Sequence, residues 1–149
     1  MGCRRVCDFL EVFDGQAALS RGVKRQGLCV APGIDRCRET YRRHWDLRTS
    51  RDQVVLAGLI VEVLKPLVIH LGIVCTQMCV IGNKQPDPES LAMTEFSLDI
   101  ADHQVSHGVH VSLENPVGSE LHRLPRAQRT LGTLEKPVAP WRHVRSDGC

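Results

Sequence analysis

Apolar and polar positions along the chain fall into short blocks that alternate between two patterns. Residues 7–13, CDFLEVF, form an apolar run with aromatic and β-branched members, which predicts a strand. Asp14-Gly15 turns the chain, and residues 16–26 offer Ala17, Leu19 and Val23 for one helix face before Gly27 stops it. Residues 28–31, LCVA, predict a second short strand ended by Pro32-Gly33, and the basic stretch 36–44 reads as a helix. Residues 51–64 are apolar almost all round, which suits a helix buried between a sheet and its neighbours, ended by Pro66. The unbroken run 67–74, LVIHLGIV, predicts a strand covered on both faces. Gly82, Asn83, Pro86 and Pro88 mark a loop. A helix over 89–107, with Met93, Phe96, Ile100 and Ala101 on one side, is closed by Gly108, and VHVSL at 109–113 gives the next strand. Beyond Pro116 the pattern weakens to a helix over 119–131 and the start of a strand over 141–147.

This alternation predicts an α/β fold, a Rossmann-like, mostly parallel sheet with helices on both faces. The whole of 1–149 reads as a single domain, with a core over 7–118, an irregular tail over 119–149 and a sheet incomplete at its C-terminal side. With 149 residues and 42% apolar content the chain can bury a core, which excludes wholesale disorder. A net charge of +2 permits a nucleic-acid partner without demanding one, and 4% aromatic residues argue against a base-stacking surface. The arginines at 36, 38, 42, 43, 48 and 51 read as a solvated helix face or as contacts to a nucleic-acid backbone.

Seven cysteines at irregular spacing predict free thiols in a reducing, intracellular compartment, and none of their spacings makes a zinc set. His103 and His107 share a helix face, but Gly108 sets His110 apart, so no metal is expected. The most apolar region, 54–81, is interrupted by Glu62, Lys65-Pro66 and His70, which predicts no membrane span.

Ligands of parallel sheets gather at the carboxyl ends of the strands, and the reactive residue types stand there. Gly15 lets backbone approach a ligand closely, and Asp35, 20 residues on, can accept hydrogen bonds from both hydroxyls of a ribose. Asp46 reads either as a helix cap or as an acceptor for the amino group of an adenine. Cys75 is a small buried hydrophobe or, if exposed to a cleft as thiolate, a nucleophile. Glu114 ends the neighbouring strand, and a carboxyl group in an apolar cleft holds its proton more tightly, as an acid must.

Taken in order, Phe13-x-Gly15, Ile34-Asp35, Asp46-Leu47, Val74-Cys75-Thr76 and Leu113-Glu114-Asn115-Pro116 resemble the motif series of the cytosine-5 DNA methyltransferases, which have the S-adenosylmethionine-dependent methyltransferase fold. The likeness covers residues 7–118. It implies that Phe13, Gly15, Asp35 and Asp46 bind S-adenosyl-L-methionine. It implies further that Cys75 attacks C6 of a cytosine flipped out of DNA, and that Glu114 hydrogen-bonds or protonates N3. Asn115 would brace Glu114 and Pro116 stiffen the turn. The chain departs from the family pattern at Ala17 (a glycine in the family), Val74 (proline), Cys79 (serine) and Pro116 (valine). The later Gln-x-Arg-x-Arg motif and target-recognition region do not occur within the 149 residues. These departures favour the alternative, a non-catalytic Rossmann-like remnant or interaction module.

Overall fold

A computed structural model describes residues 6–73, 87–115, 119–133 and 135–144. Its centre is a three-stranded sheet of β1 (Phe9–Val12), β4 (Val68–Gly72) and β5 (His110–Glu114) in the spatial order β1-β4-β5, with both pairings parallel. Four α-helices surround it among the described residues: α1 (Ala18–Arg25), α2 (Ser50–Gly58), α3 (Pro88–Ser106) and α4 (Pro125–Leu131). The expected α/β class and parallel sheet are therefore present. All four residues of β1 are buried, as are Ile69, His70 and Leu71 of β4, so these two strands are covered on both faces. β5 alternates between exposed and half-buried positions.

The register sorts side chains by face. Leu10, Ile69 and Val111 lie side by side, as do Val12, Leu71 and Leu113. These rows join Ile34, Trp45, Leu56, Ile60 and Ile100 in the main core. A smaller core of Leu98, Leu121, Ala127 and Leu131 packs α4 and the 3-10 turn Glu120–Arg123 against α3, and Trp141 touches both.

Local chemistry explains the helix limits. Thr49 caps α2 by accepting from the Asp52 N–H (3.3 Å). Asp87 caps α3 through the Ser90 N–H (3.0 Å), with Pro88 just inside the helix where its missing donor costs nothing. α2 passes into a π-helical turn, Leu59–Leu64, which Lys65 closes in the left-handed region.

Five expected elements are corrected. Residues 28–31 are not a strand; this segment and the residues after it meet β1 through the isolated bridges Phe9↔Val30 and Val12↔Ile34. The N–H of Ala31 bonds to Phe9 O and that of Ile34 to Glu11 O, so this segment advances three residues while β1 advances two. Pro32, which has no N–H, sits in the extra position and breaks the ladder. The basic stretch 36–44 is not a helix but a hairpin of β2 (Glu39–Thr40) and β3 (Arg43–His44). Tyr41 and Arg42 both have positive φ at its tip, and the Trp45 indole N–H anchors it on Thr40 O (3.1 Å) and Oγ1 (3.0 Å). Residues 51–64 bury one stripe, Leu56, Ile60 and Leu64, while Val54 and Val63 are exposed, so this helix is not enclosed all round by the described residues. Residues 141–144 have no regular structure, and the rest of the strand expected there lies outside the described residues. The helix expected over 119–131 divides into the 3-10 turn and α4, because Pro125 cannot continue a helix hydrogen-bond ladder from before it.

Candidate functional site

Because the three strands are parallel, their carboxyl ends share one edge of the sheet. There, a cavity of about 160 Å³ opens between the end of β1, the segment that runs beside it, the loop 45–48 and the first turns of α3. Phe13, Asp35 and Asp46 all line it, joined by Ile34, Trp45 and Met93. These three residues, picked out 33 positions apart in the chain, meet in one place. Gly15 belongs to the same assembly: its N–H donates to Asp35 Oδ2 (3.0 Å) while Gly15 holds φ at 48°, a conformation that suits glycine. Asp35 Oδ1 accepts from the Cys37 N–H (2.8 Å). Both oxygens are thus aimed by backbone donors, and each keeps a further lone pair for a ligand.

Asp46 is held differently. Arg48 grips it with two parallel bonds, Nε to Oδ1 (2.8 Å) and Nη2 to Oδ2 (2.6 Å), and these bonds push the Asp46 carboxyl below the usual carboxylate range. Arg48 also reaches Glu89 in the first turn of α3 (3.3 Å), so one guanidinium spans the cavity wall. Beneath it, Asp52 accepts from the Asp46 N–H (2.6 Å) and from Arg43 (2.5 Å), whose guanidinium lies 4.6 Å from the centre of the Trp45 ring.

Asp14 follows Phe13 and points inward. It is buried, pairs with Arg38, and crowds Gly33, where any β-carbon would overlap its carboxylate. Burial pushes its carboxyl above the usual range, against the pull of Arg38. Three of the six arginines of the basic stretch, 38, 43 and 48, are therefore neutralised by acids, and they brace the site.

Of the expected chemical pair, Glu114 does not line this cavity, and Cys75 lies outside the described residues. Glu114 ends β5 opposite Gly72 and is exposed, with its side chain 72% accessible. Its Oε2 lies 3.6 Å from His70 Nε2, while His70 Nδ1 meets Ser112 Oγ at 3.0 Å. The apolar cleft expected around Glu114 is not formed by the described residues. Asn115 is half-buried, and neither its Oδ1 nor its Nδ2 makes a hydrogen bond, so the expected brace to Glu114 is not made. Cys75, Val74, Cys79 and Pro116 lie outside the described residues.

Arg48 was read only as one of a group of basic residues, and Asp52, Glu89 and the cavity wall at Trp45 were not picked out from the sequence. The signal for Arg48 was its place two residues after Asp46. Glu89 comes to the site only through the fold, 41 residues further on.

Among the described residues no group of three or more His, Cys, Asp or Glu side chains is placed to hold a metal ion. No helix among them is long and apolar enough to cross a membrane. Cys7, Cys29 and Cys37 are free thiols, and burial pushes the Cys7 thiol up to about 11. Comparisons with protein-family models, with curated proteins and with solved structures returned no match to this chain.

Proposed function

We propose that the chain is a Rossmann-like cofactor-binding domain that takes S-adenosyl-L-methionine, similar to the domain of cytosine-5 DNA methyltransferases. One observation carries this reading: Phe13, Asp35 and Asp46 line a single cavity, with the Gly15 N–H bonded to Asp35. The sheet order supports it. The segment after α1 lies on one side of β1 and β4 on the other, so the chain reverses its direction of build-up at β1. That is the switch point at which doubly wound sheets bind nucleosides.

The residues present fit an adenosyl group. A cavity of about 160 Å³ is of the order that holds one aromatic ring system. Ile34, Trp45 and Met93 supply apolar walls for a base, Asp46 an acceptor for its amino group, and Asp35 two acceptors for ribose hydroxyls. When bound, the cofactor supplies a methyl group. On this reading Cys75 is the nucleophile toward C6 of a cytosine in DNA, and Glu114 carries the proton toward N3.

Titration calorimetry with S-adenosyl-L-methionine and its demethylated product tests the binding claim. Binding is expected, and Asp35→Ala should weaken it by roughly tenfold or more, the effect of losing hydrogen bonds to a charged group. No heat at millimolar ligand defeats the reading. A cytosine analogue that traps covalent adducts, placed in DNA, should label the protein and not Cys75→Ser.

The exposure of Glu114 favours a second reading, a binding module without catalysis. Cofactor binding with no trapped adduct would select it.

A further inference from the structure

A helix N-terminus attracts anions, because its first N–H groups lack partners and the helix dipole points its positive end there. In dinucleotide-binding sheets the turn after the first strand delivers the pyrophosphate to that position. Here the corresponding helix is α1. Its N-cap, Ala17, follows the cavity residue Phe13 by four positions and offers no side-chain bond, and the first turn contains no acid. The anion comes instead from within the sheet. Glu11 of β1 is buried, and its Oε2 accepts from the Ser20 N–H (2.9 Å) and the Ser20 hydroxyl (2.5 Å) in the first turn of α1. A fixed carboxylate thus occupies the helix end where a phosphate would otherwise be held.

The lining charge points the same way. Asp35, Asp46 and Glu89 face the cavity against Arg36 and Arg48. Arg48 is committed to two of those acids, and the charge of Arg36 also acts on Asp46. An incoming phosphate would meet an excess of carboxylate, while a neutral or cationic 5′ substituent would not.

We infer that Glu11 is a specificity-determining residue that restricts this site to adenine nucleosides without a 5′-phosphate. The inference rests on the cofactor reading above and adds to it what the site refuses. Adenosine, S-adenosyl-L-methionine and its demethylated product belong to the accepted class; adenosine monophosphate and dinucleotides belong to the rejected one.

The test is calorimetry on the full chain with adenosine, adenosine monophosphate and inorganic phosphate. Adenosine should bind at least about tenfold more tightly than the monophosphate, and phosphate alone should give no heat. The ratio should shrink in high salt as the lining charges are screened. Glu11→Gln, which keeps the shape and removes the charge, should raise monophosphate binding relative to adenosine. Equal binding of the two nucleosides by the wild-type chain overturns the inference and leaves the cofactor reading standing. Binding of neither defeats that reading, and this inference with it. A ratio that Glu11→Gln leaves unchanged overturns the role of Glu11 and assigns the selectivity to the lining acids. If Glu11→Gln does not fold, the wild-type ratio and its salt dependence decide.

Discussion

On one face of the sheet, the rows Leu10–Ile69–Val111 and Val12–Leu71–Leu113 run without a polar atom into the main core. On the other face, the neighbouring row is Glu11–His70–Ser112, followed by Gly72 beside Glu114. The same strands carry both, one residue out of step. The polar row is satisfied locally: Glu11 by Ser20, and His70 by Ser112 with Glu114 nearby. It is buried at β1 and β4 and opens to solvent at β5, where Ser112 and Glu114 are exposed. The difference separates two jobs. The apolar rows fix the register, since a slip of one residue would drive Glu11 and His70 into the core. The polar row is then free to supply charge at defined places, among them the start of α1.

The sharpest way to break this comparison is to truncate one residue on each face. Leu71 is fully buried, so Leu71→Ala should cost about 2–5 kcal/mol in urea unfolding, from lost transfer energy and the cavity left behind. Ser112→Ala removes one hydroxyl from an exposed position and should cost about 1 kcal/mol or less. Equal losses from the two would mean that the faces do not divide the work as described.

A second, smaller effect sharpens the contrast between buried and paired acids beside the cavity. The folded-state value of Asp14 is raised, mainly by burial. The native state therefore binds the extra proton, and stability should fall as pH rises from the ordinary carboxylate range through that raised value. Asp14→Asn should remove that fall. Asp46 is lowered, chiefly by the hydrogen bonds of Arg48. Its contribution is present above the ordinary carboxylate range and is lost as pH falls through its lowered value, and Asp46→Asn should remove that loss. Urea midpoints measured from acid to neutral pH read both slopes, and slopes of the same sign would contradict the assignment.

What was legible in the sequence follows from the same contrast. β1, β4, α3 and β5 each rest on a periodic apolar block, and each stands where the block predicts it; α1 stands where it was expected, but not on the expected face, since Leu19 is exposed, Ala17 is the N-cap and Ser20 is the residue buried. The nearness of Phe13 and Asp35 was legible because both were expected at strand ends, which share an edge in a parallel sheet; Asp46 was picked out with no strand end beside it. The hairpin at 39–44 was not legible, because its arginines resemble a solvated helix face and its tip places Tyr41 and Arg42, not glycine, at positive φ. Within the strands themselves Thr40 is the one residue with a marked strand preference. The polar row was hidden because Glu11 and His70 sit inside apolar runs, and only the register shows that they are neighbours. The Arg48 bridge to Glu89 could not be read at all, since nothing local joins residues 41 apart.

The smallest effect lies in the loop that links the two faces to α1. Ala17 has φ 52° and ψ 36°, a left-handed conformation that costs a residue with a β-carbon about 1–2 kcal/mol. Replacement by glycine relieves that cost but loosens the unfolded chain by about 0.4–1 kcal/mol. Ala17→Gly should therefore stabilise the protein by roughly 0.5–1 kcal/mol, the difference of these two terms. Two residues earlier, Gly15 has φ 48° with no atom near enough to touch an added β-carbon, so Gly15→Ala isolates the backbone term with the opposite sign. Urea midpoints should move in opposite directions at unchanged slope. If Ala17→Gly destabilises instead, the methyl group of Ala17 makes a contact that outweighs the strain, and the loop is held by packing where its backbone angles imply that it is held by hydrogen bonds.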